Sequence, residues 1–338
     1  MKAMVYEKFG PPEVLQLQDM RKPAPKGNEI LIKVHATPLS FGDVLVRDFK
    51  AVSPRKFHMP FLFWLIGKFY FGFRKPKIKI LGSEFSGEVE SVGKNVKRFS
   101  PGDPVFGYRG PRMGAYAEYL CMPEKGVMAL KPASMSFEEA AAVPYGALMA
   151  LIVLRKAGLQ PGQKILVNGA SGGIGPAVVQ LARYHFGAIV TGVCGTPRME
   201  YVRSLGAEKV IDYTQEDFTD RDETFDVIVD ILGKKSFARC KRALKPKGRC
   251  LYVSFKMKKV FLMLWTSMGG GRRARCVLSS EKAEDLALIK DLIEAGKIKT
   301  IIDRCYPLEK AADAHRYYEQ GHRTGSVVIS IGRPDESL

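Results

Sequence analysis

One stretch narrows the fold more than any other: "KILVNGASGGIGPAVVQLAR", Lys164 to Arg183. A short apolar run passes into Gly169-Ala170-Ser171-Gly172-Gly173-Ile174-Gly175, and a helical pattern starts at once. Glycines are needed where a chain turns tightly out of a strand, where backbone must approach a pyrophosphate, and where a helix packs closely on a sheet. The helix then presents unpaired N–H groups and a partial positive charge to the phosphates. Pro176 fits that first turn, because the N–H it lacks has no partner there anyway.

A glycine pattern alone is weak evidence, and its flanks carry the argument. After it come strand "AIVTGVC", a helix start at Thr196-Pro197 with threonine as N-cap, strands "KVIDY" and "FDVIVDIL", helix "SFARCKRALKP", and strands "GRCLYVS" and "RCVLSS". Strands alternating with helices imply an α/β fold with a doubly wound parallel sheet, a Rossmann-type cofactor domain. Ahead of the turn, Ser136 and Glu139 have capping-box spacing before the apolar helix "AAAVPYGALMALIVLRKAG", which Pro144 is expected to break or kink. In an NAD site the second strand ends in an acid that holds the ribose 2′-OH. Here no acid lies between Ala188 and Arg198, whereas Cys194, Thr196 and Arg198 suit a 2′-phosphate. The expected cofactor is therefore NADPH, held by Ala170, Ser171, Gly172, Gly173, Ile174 and Gly175 of the turn together with those three residues. Leu232 and Gly233, and Ser254 and Phe255, follow later strands at their carboxyl ends, where ligands bind in open α/β sheets.

The first 125 or so residues read differently, as strands and turns. "EILIKVHAT" and "FSGEVESVG" alternate, and Gly/Pro punctuation recurs at "GPP", "SPGDP" and "RGPR". "GSVVISI" is a lone strand after a helix-rich stretch, placed to return to the amino-terminal part. Two domains suit the 338 residues. Six cysteines without a CxxC pair read as reduced thiols of a cytoplasmic protein, and "MKAMVYEKFG" has no signal-like apolar run. The net charge of +18 is unevenly placed: eight Lys/Arg and no acid lie from Phe49 to Ser83, and fourteen with no acid from Ile231 to Ser280. Such localised charge points to an anionic partner: a phosphate-bearing cofactor, nucleic acid or lipid.

A family resemblance rests on several motifs. Gly82-Ser83-Glu84-Phe85-Ser86-Gly87, then Gly93 and Val96, resemble the zinc alcohol dehydrogenase pattern G-H-E-x2-G-x5-G-x2-V, with Ser83 in place of the metal-binding histidine. "RFSPGDPVFG" and "GAYAEY" resemble the amino-terminal domain of medium-chain dehydrogenases/reductases. Gly162-Gln163, Leu166, Ala170-Ser171-Gly172-Gly173, Gly175, Gln180 and Arg183 are spaced as in the zinc-lacking quinone oxidoreductase (zeta-crystallin-like) branch. The resemblance runs from "MKAMVYEKFG" to "TGSVVISI" and implies a mostly-β GroES-like catalytic domain at 1–130, completed by 281–338, around a Rossmann domain at 131–280. It also implies that Ser40 and Asp43 lie beside the nicotinamide as the catalytic candidates, and that Tyr213 stacks or bonds near the adenosine phosphate. Ser40 stands where the branch usually has Asn and Leu45 where some members have Tyr, so the proton donor stays open, water included. Asp43 has a second reading, as a structural hydrogen-bond partner at the domain hinge.

A catalytic zinc needs three ligands drawn from Cys, His and carboxylate. Ser40 occupies the first cysteine position of the zinc dehydrogenases, Ser83 the histidine position, and residues 137 to 155 hold neither Cys nor His. No metal is expected. Without a Lewis acid, hydride transfer is feasible to an acceptor that is already electron-poor, a quinone or an α,β-unsaturated carbonyl. An NADPH-dependent quinone or enone reductase is the expected function. The alternative is a peripheral membrane or nucleic-acid-binding protein on the same fold, with nucleic acid disfavoured because the aromatics sit in apolar runs.

One segment departs from the family frame. "FLFWLIGKFYFGFRKPKIK" is apolar from Phe61 to Phe73 except for Lys68. Its thirteen residues are too few to span about 30 Å of hydrocarbon. "KMKKVFLMLWTSMGGGRRAR" repeats its chemistry, with Trp265 answering Trp64. The first reading makes the two facing lids of an apolar pocket, with Phe41, Leu45, Trp64 and Trp265 as substrate contacts. Membrane-surface binding is the second reading and a homodimer contact the third.

Overall fold

The computed structural model describes residues 1–54, 60–233, 237–253, 262–263, 266, 271–277, 281–321 and 323–332. At the amino terminus β1 (Lys2–Val5) and β2 (Gln16–Asp19) form an antiparallel pair. β3 (Glu29–Leu39) follows, then helices α1 (Phe41–Arg47) and α2 (Phe61–Phe71), then β4 (Glu84–Val92), β5 (Pro104–Tyr108), β6 (Tyr119–Pro123) and β7 (Val127–Leu130). β3 alternates only around Lys33 and His35; the rest of it is buried or half-buried on both faces. α3 (Phe137–Ala141) lies over it, so Ala36 packs with Ala141.

The capping box forms as its spacing requires: Glu139 N–H donates to Ser136 Oγ at 3.1 Å, and Ser136 N–H to Glu139 Oε2 at 2.9 Å. Pro144 does end that helical pattern. It opens a new helix, α4 (Pro144–Ala157), at the position where a missing N–H is harmless. Gly158, in the left-handed conformation, closes α4.

The βαβ half then builds a parallel sheet: β8 (Lys164–Asn168), α5 (Gly175–Gln180), β9 (Ile189–Cys194), α6 (Met199–Ser204), β10 (Lys209–Asp212), β11 (Phe225–Asp230), α7 (Phe237–Arg242), β12 (Leu244–Tyr252) and β13 (Arg273–Cys276). The strand order is β10-β9-β8-β11-β12-β13, all parallel, so β8 and β11 are central and their apolar residues are covered on both faces. α8 (Ala283–Glu294) packs on α4. β14 (Ile302–Pro307), α9 (Ala311–Gln320) and β15 (Ser326–Ser330) then leave the parallel sheet, and β15 pairs antiparallel with β3. Among the described residues the second sheet runs β14-β15-β3-β4-β5-β7, with β6 on β3.

A buried knot ties the ends of this sheet together. Arg47 of α1 donates to Gly10 O at 3.1 Å and to Glu319 at 2.8 Å, and meets His315 Nδ1 of α9 at 2.6 Å. Tyr116 Oη stands 3.3 Å from His315 Nε2. Burial and the Arg47 charge push the His315 imidazole down to about 3, so the ring is neutral and accepts from the guanidinium.

Candidate active site

The two sheets enclose a cavity of about 1030 Å³. Its floor is the glycine turn, and the glycines divide the work. A Cβ on Gly175 would meet Gly169 O at 2.2 Å, so that glycine lets the helix sit against the strand. A Cβ on Gly173 would meet nothing within 4 Å, and one on Gly172 would touch only Gly169 O at 3.5 Å. Gly172 and Gly173 therefore leave bare backbone facing the cavity, flanked by Ser171 and Ile174, which also line it. Ala170 is buried behind them. An open backbone cradle beside a strand-to-helix turn fits a pyrophosphate.

The neighbouring strand ends are more crowded than the one-dimensional pattern implies. Cys194 is buried, and burial pushes its thiol up to about 11, so it is a packing residue whose carbonyl accepts Tyr213 N–H at 3.1 Å. Tyr213 is exposed, with its ring against Gly195. Thr196 is not an N-cap: Gly195 precedes a 3-10 turn at Thr196–Arg198 without a side-chain cap. The Thr196 hydroxyl donates instead to Asp212 Oδ2. Asp212 pairs in register with Cys194, so the fold brings an acid to the end of β9 that β9 itself lacks. Thr196 and Thr214 donate to that carboxylate and hold it below the usual carboxylate range. Arg198 donates to Gly321 O just past α9, which anchors its guanidinium to the other sheet's helix.

Leu232 lines the cavity beside Gly169. Gly233, at φ +62°, donates its N–H to Asp230 Oδ1 at 3.1 Å, and Asn168 Nδ2 donates to the same oxygen at 2.8 Å. Asp230 thus holds the ends of β8 and β11 at one spacing. Ser254, Phe255 and Trp265 lie outside the described residues.

Across the cavity stand Ser40, Phe41, Val44 and Glu84. Ser40 and Asp43 form a second capping box at the start of α1. Asp43 Oδ2 accepts the Ser40 N–H at 2.8 Å and its hydroxyl at 2.6 Å, while Oδ1 accepts Gly82 N–H at 2.8 Å. Asp43 is fully buried and does not line the cavity, and burial pushes its carboxyl up against the pull of those donors. Its carboxylate ties the start of α1 to the Gly82 turn. Leu45 does not line the cavity either; the helical phase turns Val44 there instead.

Trp64 also stands away from it. Its indole N–H donates to Val52 O at 2.9 Å, and α2 packs on Phe49 rather than over the opening.

Glu84, within the Gly82–Gly87 motif, is a titratable group of the cavity wall that the motif's spacing does not mark. It is 5% exposed, and Oε1 accepts Tyr145 N–H at 2.8 Å. Burial, with the Asp43 charge adding to it and the Tyr145 bond opposing, pushes its carboxyl up to about 8. Tyr145 and Tyr318 complete the polar wall, and burial raises both phenols, Tyr145 to about 12. Nothing in the local pattern around these tyrosines marks them. Among the described residues no group of three His, Cys, Asp or Glu side chains is placed to hold a metal ion.

Two family models match the chain. One described as the alcohol dehydrogenase GroES-like domain covers residues 26–132, and one described as zinc-binding dehydrogenase covers residues 205–329. The 2-methylene-furan-3-one reductase of Solanum lycopersicum is 34% identical, over 97% of this chain and 79% of that protein. The NADPH-dependent alkenal/one oxidoreductase of Arabidopsis thaliana is 32% identical, over 97% and 79%. The solved quinone oxidoreductase of Coxiella burnetii superposes with a TM-score of 0.83 at 30% identity, over 98% of this chain and 99% of that one.

Proposed function

The chain belongs to the quinone oxidoreductase (zeta-crystallin-like) branch of the medium-chain dehydrogenase/reductase superfamily, and from that premise we propose an NADPH-dependent reductase of quinones or other α,β-unsaturated carbonyls that works without zinc. The observation that carries this reading is the cavity itself: bare Gly172-Gly173 backbone on one side, and Phe41, Val44 and the buried Glu84 carboxyl on the other. Bound NADPH supplies the hydride.

The residues of the chain do the rest. Gly172 and Gly173 admit the pyrophosphate, with Ser171, Ile174 and Gly175 framing it. We assign the adenosine end to Thr196, Arg198 and Tyr213, which follow the ends of β9 and β10. Phe41, Val44 and Leu232 give apolar walls that favour a flat, greasy acceptor and exclude water.

Two-electron reduction of such an acceptor also needs a proton. Ser40 is poorly suited to give one, because its hydroxyl hydrogen is committed to Asp43 at 2.6 Å. Glu84 holds a proton at neutral pH and borders the same cavity. We assign it the role of proton source, directly or through a water, since a donor works best with a pKa near the operating pH. Ser40 and Ser83, where zinc dehydrogenases have ligands, support the zinc-free reading.

NADPH oxidation should be measured across a panel of quinones, enones and simple aldehydes, with and without a chelator. Turnover of quinones or enones, indifferent to the chelator, is the expected result. Equal turnover of simple aldehydes, or activity that a chelator abolishes, would overturn the assignment.

A further inference from the structure

Helix α2 is inverted relative to a water-facing helix. Its one cation, Lys68, is 6% exposed and donates to Phe49 O at 3.2 Å. Trp64, Gly67 and Phe71 share that inner face: a Cβ on Gly67 would meet the Phe49 ring at 2.8 Å, and the Phe71 ring packs on it with centroids 5.0 Å apart. The opposite face turns Phe61 (65% exposed), Ile66 (53%) and Phe69 (59%) outward, with Phe73 continuing the patch past the helix end. A surface helix of a water-bathed protein does the reverse, sending cations out and aromatics in.

The next turn supplies charge. Gly72 has φ +115°, and a Cβ there would meet Lys75 O at 2.0 Å, so the chain doubles back as only glycine allows. Lys77 N–H donates to Phe71 O at 2.9 Å and its ammonium to Phe69 O at 2.7 Å, which holds the turn against the helix. Arg74 and Lys75 are exposed beside the patch, and no acid occurs between Phe49 and Ser83.

We propose that α2 and the turn after it form a docking surface for an anionic lipid bilayer. Phe61, Ile66, Phe69 and Phe73 enter the boundary between headgroups and acyl chains, and Arg74 and Lys75 meet the lipid phosphates. No described helix is long and apolar enough to cross a membrane, so the contact lies in the plane of the surface. Aromatic and aliphatic residues backed by a cationic rim have the composition such contacts use. A second copy of the chain fits less well, because a symmetric contact would press one cationic rim on another with no acid to answer it. A nucleic acid fits less well again, since the exposed rings lie in one apolar run with Leu62 and Ile66 rather than singly among cations.

The full chain is to be floated with phosphatidylcholine vesicles, with and without phosphatidylglycerol, at low and raised salt. Binding should favour the anionic vesicles and weaken with salt. The double variants Ile66→Ser/Phe69→Ser and Arg74→Glu/Lys75→Glu should each weaken it by at least about tenfold. Circular dichroism and NADPH affinity should be unchanged in both, since neither pair lines the cavity. Absence of flotation, or flotation equal to wild type in either variant, would overturn the proposal. So would a dimer in sedimentation that Ile66→Ser/Phe69→Ser dissociates, which would make the face a contact between copies.

Discussion

Glu84 of β4 accepts the backbone N–H of Tyr145, the second residue of α4, at 2.8 Å. One buried carboxyl thus caps the helix that packs on the parallel sheet while belonging to the other sheet. A helix N-terminus favours a charged carboxylate, yet burial outweighs it here and pushes the carboxyl up to about 8.

That balance sets the first prediction. A donor that must be protonated works below its pKa, so kcat for an enone should fall as pH rises through about 8. Glu84→Gln should remove that limb and lower kcat by about 10²-fold or more, with KM changed far less. A pH–rate profile of both proteins decides it; a retained limb in the variant would rule Glu84 out as the titrating group.

The two glycines of the turn should fail differently. Gly173→Ala places a methyl in the open cavity, so stability should change by less than about 0.5 kcal/mol. NADPH should bind about tenfold more weakly, roughly 1.4 kcal/mol. Gly175→Ala drives a methyl into backbone oxygen and should cost about 1–3 kcal/mol of stability. Denaturant melts and cofactor titrations, run on both variants, separate the two losses.

Cofactor choice is open to direct measurement. NADPH should bind at least about tenfold more tightly than NADH, and Arg198→Ala should narrow the gap chiefly by weakening NADPH. Equal affinities in the wild type would remove the 2′-phosphate argument.

His315 gives a stability prediction. Its folded pKa, about 3, lies below its ordinary value of 6.5, so the unfolded chain binds the proton more readily. Its contribution is fully present above pH 6.5 and is lost as pH falls toward 3. Each pH unit in that window costs about 1.4 kcal/mol at most from this group. His315→Gln should flatten the acid limb of a stability-against-pH curve, while lowering stability at neutral pH by weakening the Arg47–Tyr116 knot.

Local pattern and tertiary arrangement divided the information unequally. The glycine turn, the parallel strands after it, both halves of the Ser136–Glu139 box and the helix restart at Pro144 are all written in neighbouring residues. Each depends on interactions within a few positions, or on a burial period a single strand displays. Asp212 is the counterexample. β9 carries no acid, but parallel pairing sets Asp212 beside Cys194 from another strand, eighteen positions on.

The same holds for the outcome at Phe61–Phe71. Composition alone determined that this segment is apolar, too short to span a bilayer and followed by cations. It could not determine which face turns inward, because nearly every residue is hydrophobic and the helical period has little to act on. The tertiary structure decided that, through Phe49, Val52 and the space left by Gly67, which draw Lys68 and Trp64 in and leave Phe61, Ile66 and Phe69 out. Glu84 follows the same rule: its place in the motif is local, but the upward push on its carboxyl comes from burial, with Tyr145 of α4 and Asp43 of α1 acting on it from distant parts of the chain. Short-range chemistry chose the elements, and long-range packing chose what they face.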